Sequence, residues 1–466
     1  MEIKTYEFNS NGLNEANGEP KCSNWPVVYL IDGSELYIGE TSNFSGRFQQ
    51  HLSNNQRQNL RAIRVILDDT FNKSAILDIE QHLIRLFNSE ENYKLQNMNF
   101  GQSASHDYYQ RDQYRKKIPE IWNQLKQESV AKKSYEEIVN NNLYKYSPYI
   151  TLTEDQNNVC YEVLSYLCDC LEKEEQGTAI VEGGAGTGKT ILAINMLHAL
   201  QNRNFLNYDV ENDEGDKDKW HILVNRLKKI KDLKIGFVVP MTNLRETLRD
   251  VFRYNNLDEL VCGPYDIVKQ NINYDILFVD ESHRLFKRQA QANLGAFDNA
   301  CKKLKMKPGE STQLNWIVEK SKTQVLFYDS NQSVRNSDIT SLEFNNTIKE
   351  KKMFFYLKSQ MRCLGGDSYI NHVNMLFESS ANSRIVKQYN DSNYDVKVFD
   401  DPNKMIEEIK KKDKEVGLCR NLAGYGWQWN TKNLLGYIKK NNYQEFIRRV
   451  TQQEKWDIEL QGKKYI

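Results

Sequence analysis

Thr178-Ala179-Ile180-Val181-Glu182-Gly183-Gly184-Ala185-Gly186-Thr187-Gly188-Lys189-Thr190 decides the fold. A short apolar β-rich run leads into G-x-x-x-x-G-K-T, and the apolar residues 191–200 continue as a helix. Glycines let backbone N–H groups wrap phosphates, and a helix that starts at the loop adds its dipole. Gly183, Gly184, Ala185, Gly186, Thr187 and Gly188 make the cradle. Lys189 reaches the β- and γ-phosphates and Thr190 ligates Mg2+. The expected cofactors are ATP and Mg2+.

Working outward, Ile276-Leu277-Phe278-Val279 is an apolar strand that ends in Asp280-Glu281-Ser282-His283. Asp280 is expected to hold Mg2+ through water, and Glu281 to orient and deprotonate the attacking water. Gln156 precedes the loop and is placed to read adenine. Val325-Leu326-Phe327-Tyr328-Asp329 is followed by Gln332, placed to sense the γ-phosphate, and Ser359-Gln360-Met361-Arg362 offers Arg362 as an arginine finger. Each of these three is an ordinary residue alone; their order raises them. Strands are expected at 178–182, 235–240, 276–280, 324–329, 354–357 and 396–399, with helical stretches between them, which implies a parallel α/β sheet.

This order resembles a superfamily 1 helicase core. Asp280-Glu281-Ser282-His283-Arg284, Gln360-Met361-Arg362 and Leu422-Ala423-Gly424-Tyr425-Gly426-Trp427 resemble the Schlafen-group-3-like DNA/RNA helicase domain over residues 150–466. The resemblance implies two P-loop RecA-like lobes with ATP between them and DNA or RNA across them. It also implies late motifs in the second lobe, a Gln-Gly-containing segment and a last Arg, which the sequence after Arg362 does not supply. The expectation is therefore a partial second lobe: a fragment, a lobe completed by a separate chain, or a degenerate translocase.

The N-terminal part reads strand, Asp32-Gly33 turn, strand, helix, strand, helix. It carries two phenols, Tyr29 and Tyr37, with Arg47 and His51 four apart on one helix face. Glu80 sits on a later helix and Asn97 follows. Two phenols, a guanidinium, an imidazole and one carboxylate suit phosphodiester hydrolysis. The carboxylate holds one divalent metal, a Tyr or metal-bound hydroxide is the base, and Arg and His neutralise the phosphorane. Tyr37-Ile38-Gly39-Glu40-Thr41, Asn43, Arg47 and His51 resemble the GIY-YIG endonuclease signature, with Val27-Val28-Tyr29 replacing its first element. That resemblance implies Tyr29, Tyr37, Arg47, His51, Glu80 and Asn97 as the site, with Mg2+ or Mn2+ on Glu80. Either Tyr can be the base.

The expected divisions are a polar lead-in at 1–24, a small mixed α+β nuclease domain at 25–100 and a helical connector at 101–150. An ATP-binding lobe at 151–340 and a partial second lobe at 341–466 follow. Residues 207–219 read as a charged insertion. Lys+Arg and Asp+Glu are 63 each, which excludes a uniformly basic coat protein and an acidic disordered tail. The zero is a sum of unlike segments: −4 over 1–100, +2 over 101–150, −7 over 151–300 and +9 over 301–466. The basic last third is where a phosphate backbone is expected to lie.

The eight Cys show no zinc spacing, and reduced thiols packed as small apolar residues are expected. No run of 18 apolar residues and no apolar leader is present, so no membrane partner and a cytoplasmic location are expected. The function expected is nucleic-acid processing by a metal-dependent endonuclease joined to an ATP-hydrolysing helicase-like module, by analogy in defence against foreign DNA. The alternatives are an ATP-switched sensor with little motor activity and an ATP-independent nuclease with an inert helicase-like lobe.

Overall fold

A computed structural model gives the fold for residues 1–97, 108–206, 217–255, 257–270, 272–288, 294–330, 332, 336–348, 351–360, 365–379, 389, 394–417 and 419–421. Arg362, residues 422–427 and most of the 207–219 insertion lie outside the described residues. The chain divides into two units, residues 1–385 and 386–466.

The first sheet contains β1 (Glu2–Glu7), β2 (Val27–Gly33), β3 (Glu35–Thr41), β4 (Leu60–Leu67) and β5 (Lys94–Leu95) in the order β1-β4-β2-β3-β5. β2 and β3 form the expected hairpin, with Tyr29 directly opposite Gly39. The region 1–24, expected as a lead-in, supplies edge strand β1 and helix α1 (Ser10–Asn17). Its alternating polar pattern is that of an edge strand with one solvated face. β2 is buried along most of its length because helices cover both faces. One face sets Tyr29, Tyr37, Ile63 and Val65 against Phe44 and Phe48 of α2 (Phe44–Leu52). The other sets Val28, Leu30, Ile38 and Ile66 against α3 (Lys73–Glu90) and α4 (Arg111–Gln127).

α4 lies within the expected connector, yet it buries Tyr114, Ile118, Ile121, Trp122 and Leu125 in the core of the first sheet. Two short helices, α5 (Tyr135–Asn140) and α6 (Asn142–Lys145), follow it. Packing, not helical propensity, decides this role: an apolar stripe on a charged helix needs a partner.

The second sheet is parallel throughout. After α7 (Glu154–Glu172) come β6 (Gly177–Gly183), α8 (Lys189–Gln201), α9 (Lys217–Lys229), β7 (Ile235–Val238) and α10 (Thr242–Tyr254). β8 (Val261–Cys262), α11 (Pro264–Lys269), β9 (Tyr274–Val279), α12 (Leu294–Lys303) and α13 (Gln313–Lys320) continue the chain. β10 (Ser321–Tyr328), α14 (Ser341–Thr347), β11 (Lys352–Leu357) and α15 (Gly366–Ser379) complete the first unit. The order is β11-β6-β10-β9-β7-β8. β10 therefore lies between the strand that feeds the glycine loop and the strand that ends at Asp280.

Two expectations are corrected here. β11 pairs with β6, Lys352 opposite Thr178, so the sheet of the lobe expected at 151–340 extends past residue 340 to 357. Residues 396–399 form no strand; Val398 is 91% exposed and no strand pairs with this segment among the described residues. The second unit contributes α16 (Pro402–Val416), capped by Asp401 and without a buried residue.

Hydrogen bonds tie the elements around the first sheet to those around the second within the first unit. Thr151 Oγ1 donates to Gln81 Oε1, Tyr254 Oη donates to Tyr93 O at 2.9 Å, and Asn195 Nδ2 donates to Pro148 O at 3.3 Å.

Candidate active sites

The glycine loop sits at the carboxyl ends of the parallel strands, where α/β sheets bind ligands. α8 starts at Lys189 and is buried on nearly every side, which fixes its N-terminus under the loop. Gly188 has φ +83°, and a Cβ there would lie 2.2 Å from Gln156 Nε2, so the position needs glycine. Gln156 is buried in the cap of α7: its Oε1 accepts from Thr153 N–H at 3.1 Å and its Nε2 donates to Thr187 O at 2.9 Å. The amide expected to read adenine buttresses the loop, with both of its polar atoms engaged inside the protein.

Lys189 Nζ donates to Gly183 O at 2.6 Å and to Gly184 O at 2.9 Å. It lies 3.5 Å from Asp329 Oδ2, which accepts from Gln332 Nε2 at 2.8 Å. Gln360 Nε2 donates to Ala185 O at 2.6 Å. Thr190 Oγ1 donates to Asp280 Oδ2 at 2.8 Å, and Glu281 N–H donates to Asp280 Oδ1 at 3.0 Å. Gln156, Lys189, Thr190, Asp280, Glu281 and Gln332 therefore gather around one loop.

Burial pushes the Asp280 carboxyl up to about 6, with Glu281 adding and Thr190 and Lys189 opposing. Burial also raises the Glu281 carboxyl, but the His283 bond and the Lys189 and Arg284 charges hold it below the usual range. Glu281 has φ +47°, a strained position for a residue with a side chain, and its carboxylate lies 3.0 Å from the buried His283 Nε2.

A Thr hydroxyl beside a buried carboxylate is a hard oxygen pair that fits Mg2+, whose remaining positions phosphate oxygens and water usually fill. Among the described residues no group of three or more His, Cys, Asp or Glu is arranged to hold a metal ion.

The second site lies on the first sheet. Tyr29 crosses Gly39, where a Cβ would meet Tyr29 Oη at 2.4 Å. Tyr29 Oη lies 2.7 Å from His51 Nε2, and the Tyr37 ring lies 6.1 Å from Tyr29 and 5.1 Å from His51 between centroids. Arg47 donates to Gln50 Oε1 at 2.9 Å. Burial, then the neighbouring Tyr37, holds the Tyr29 phenol well above its ordinary value against the pull of Arg47 and Arg57. Burial, then the charges of Arg57 and Arg47, pushes His51 down to about 2.

Asn97 pins the strand between Tyr37 and Gly39: its Oδ1 accepts from Ile38 N–H at 3.1 Å and its Nδ2 donates to Ile38 O at 2.7 Å. Glu80 is buried on α3, which packs across β3. Lys73 Nζ, at the start of α3, meets both Glu40 carboxylate oxygens at 2.7 Å. Of the two carboxylates buried on α3, Glu90 accepts from Lys133 N–H at 2.9 Å, and Glu80 is the hard oxygen ligand expected to carry the one metal.

Sequence reasoning missed Asp329, Arg57 and the contact of His283. Asp329 had a signal: it ends an apolar strand as Asp280 does. Arg57 had none, because it sits in a 3-10 turn whose path only the fold sets.

A parallel-sheet P-loop site beside a phenol–imidazole site defines a nucleotide-binding protein with a nuclease domain. The chain belongs to the Schlafen group 3, DNA/RNA helicase domain family, whose model matches residues 176–465. The GIY-YIG catalytic domain model matches residues 27–94, so this is a fusion of the two. The helicase match runs to residue 465 and lends no support to a separate chain completing the second lobe.

The uncharacterized protein YPL245W of Saccharomyces cerevisiae is 24% identical over 318 residues, which cover 62% of this chain. The chain spans 64% of that relative's length. AMPPCP-bound DnaA from Aquifex aeolicus shares 12% identity over 69% of this chain and 68% of its own, with a TM-score of 0.23. A DNA replication initiation factor shares 11% over 66% and 68%, also at 0.23. At those scores neither likeness bears on the argument. No helix among the described residues is long and apolar enough to cross a membrane.

Proposed function

We propose that the chain is a metal-dependent endonuclease whose partner module binds and hydrolyses ATP on DNA or RNA. The observation that carries this reading is the pairing of two phosphate-handling sites in one compact unit. One sets Lys189, Thr190 and Asp280 around a glycine loop; the other sets Tyr29, Tyr37 and His51 together across Gly39.

In the ATP site the loop N–H groups and Lys189 bind phosphate. Thr190 and Asp280 hold Mg2+, Glu281 takes the proton of the attacking water, and Gln332 reports the γ-phosphate to Asp329. In the nuclease site Glu80 holds Mg2+ or Mn2+, which supplies Lewis acidity when bound. The phenols orient the attacking water, Arg47 meets the charge that grows on phosphorus, and Asn97 keeps the Tyr37 strand in place. Arg362 is assigned as the finger on the γ-phosphate. The +9 charge of residues 301–466 gives a strand backbone its salt-dependent hold. The analogy with such fusions points this activity at foreign or damaged DNA in the cytoplasm.

The test is the chain with labelled single- and double-stranded DNA and RNA, Mg2+ or Mn2+, and ATP. Glu80→Gln is expected to stop cutting and leave ATP hydrolysis; Lys189→Ala is expected to stop hydrolysis. Normal cutting by Glu80→Gln removes the nuclease assignment. Unchanged cutting by Lys189→Ala leaves an ATP-independent nuclease. ATP-dependent nucleic-acid binding without stimulated hydrolysis leaves a sensor.

A further inference from the structure

Arg57 lies outside every motif of the nuclease site, yet its guanidinium covers the Tyr37 ring 3.5 Å from the centroid. Its Nη1 also lies 3.5 Å from His51 Nε2. The same Nε2 meets Tyr29 Oη at 2.7 Å. A guanidinium can only donate, so a hydrogen bond from Arg57 requires Nε2 to be an acceptor. Tyr29 must then donate to it as well, and the imidazole proton sits on Nδ1. Arg47, on the same helix as His51, opposes the rise of the Tyr29 phenol and so lies within electrostatic reach of it. The result is that Tyr29 and Arg57 both donate to one nitrogen of His51. Moving the Tyr29 proton onto His51 would place an imidazolium against Arg57, and like charges at that distance repel.

A neutral His51 cannot neutralise the charge that grows on an attacked phosphodiester. The site still needs a second cation beside Arg47, and Arg57 is half-buried at its rim, stacked on the second phenol. We propose that Arg57 is this second cation, holding His51 as a neutral hydrogen-bond acceptor and supplying the positive charge that the histidine does not. This rests on the nuclease reading above and deepens it: Arg57 positions Tyr37 and His51 and faces the phosphate.

The experiment measures kcat and KM for cleavage of labelled DNA with Mn2+ by the full chain and by Arg57→Ala, Arg57→Lys, His51→Gln and His51→Ala. Thermal midpoints are taken for each. The expected result is a kcat at least thirtyfold lower for Arg57→Ala, with KM within threefold and the midpoint unmoved. Arg57→Lys should regain at least a third of the lost logarithm of kcat. His51→Gln, which keeps a neutral acceptor, should cut at least tenfold faster than His51→Ala. Normal kcat in Arg57→Ala, or a loss that tracks the midpoint, overturns the proposal. So does equal loss in the two His51 variants. A wild-type chain that cuts nothing removes the nuclease reading and the proposal together, whereas an active wild type with an unaffected Arg57→Ala removes the proposal alone.

Discussion

The two phosphate sites of this chain are built in opposite ways. The ATP site has a contiguous centre: six loop residues, Lys189 and Thr190 follow one another, much of their binding capacity is backbone, and Gln156, Asp280, Glu281 and Gln332 are brought to them by other elements. The nuclease site is assembled across the fold from side chains on β2, β3 and α2, with Glu80 on α3 and Asn97 after β5. A contiguous site tolerates changes in the surrounding packing so long as its strand and helix meet. An assembled site depends on every element that brings its members together. The two therefore should fail differently when perturbed.

The largest contrast is chemical. Asp280→Asn is expected to cut ATP hydrolysis by about 10²–10³-fold, the usual cost of losing one charge-stabilising group. Metal-dependent cutting measured without ATP should stay within twofold. Loss of both activities together would show that the sites are not separately built.

The glycines sharpen the comparison. A Cβ on Gly39 would press into Tyr29, which is 1% exposed and tied to His51. Gly39→Ala is expected to cost about 1–3 kcal/mol in a denaturant titration, as overpacking does, and to misplace Tyr29. A Cβ on Gly184 meets nothing within 4 Å. Gly184→Ala should therefore stay within about 0.5 kcal/mol, as unobstructed surface changes do. Equal costs would break the distinction.

Acid gives a smaller, graded test that reaches both regions. Burial holds His51 down to about 2, with Arg57 and Arg47 adding, and holds His198 of α8 down to about 4. In the unfolded chain these imidazoles take protons near pH 6.5, so below that pH the unfolded state binds more protons and stability falls. The slope is about 1.4 kcal/mol per pH unit for each proton. The His198 share ends near pH 4 and the His51 share continues toward pH 2. Denaturation midpoints at pH 7, 6, 5 and 4 measure this; a level profile counts against both burials.

The contrast also explains what was legible in the sequence. The glycine loop, the Asp280 strand and the Tyr29–Gly39 hairpin could be read because local order fixes them: a strand must precede the loop, and Asp32-Gly33 sets the hairpin. The motif order carried the helicase and nuclease families. Arg57 was not legible, since nothing in the spacing from His51 says that a 3-10 turn folds it back over Tyr37. Nor was β11: a strand six residues long reads the same whether it closes one sheet or opens the next, and only its pairing with β6 decides. β1 was hidden by its polarity, which an edge position permits.

The burial of α4 has a consequence for how such a protein is inherited. The GIY-YIG signature occupies residues 27–94, but Trp122 and its neighbours on α4 fill one face of the same core, and β1 closes the far edge of the sheet. A gene fusion that carried only the signature would leave that face open to water and lose roughly 3–5 kcal/mol at the Trp122 position alone. The unit that can travel between genes is therefore larger than the motif that names it: strand β1 at one end, the α4 helix at the other, and the signature residues between.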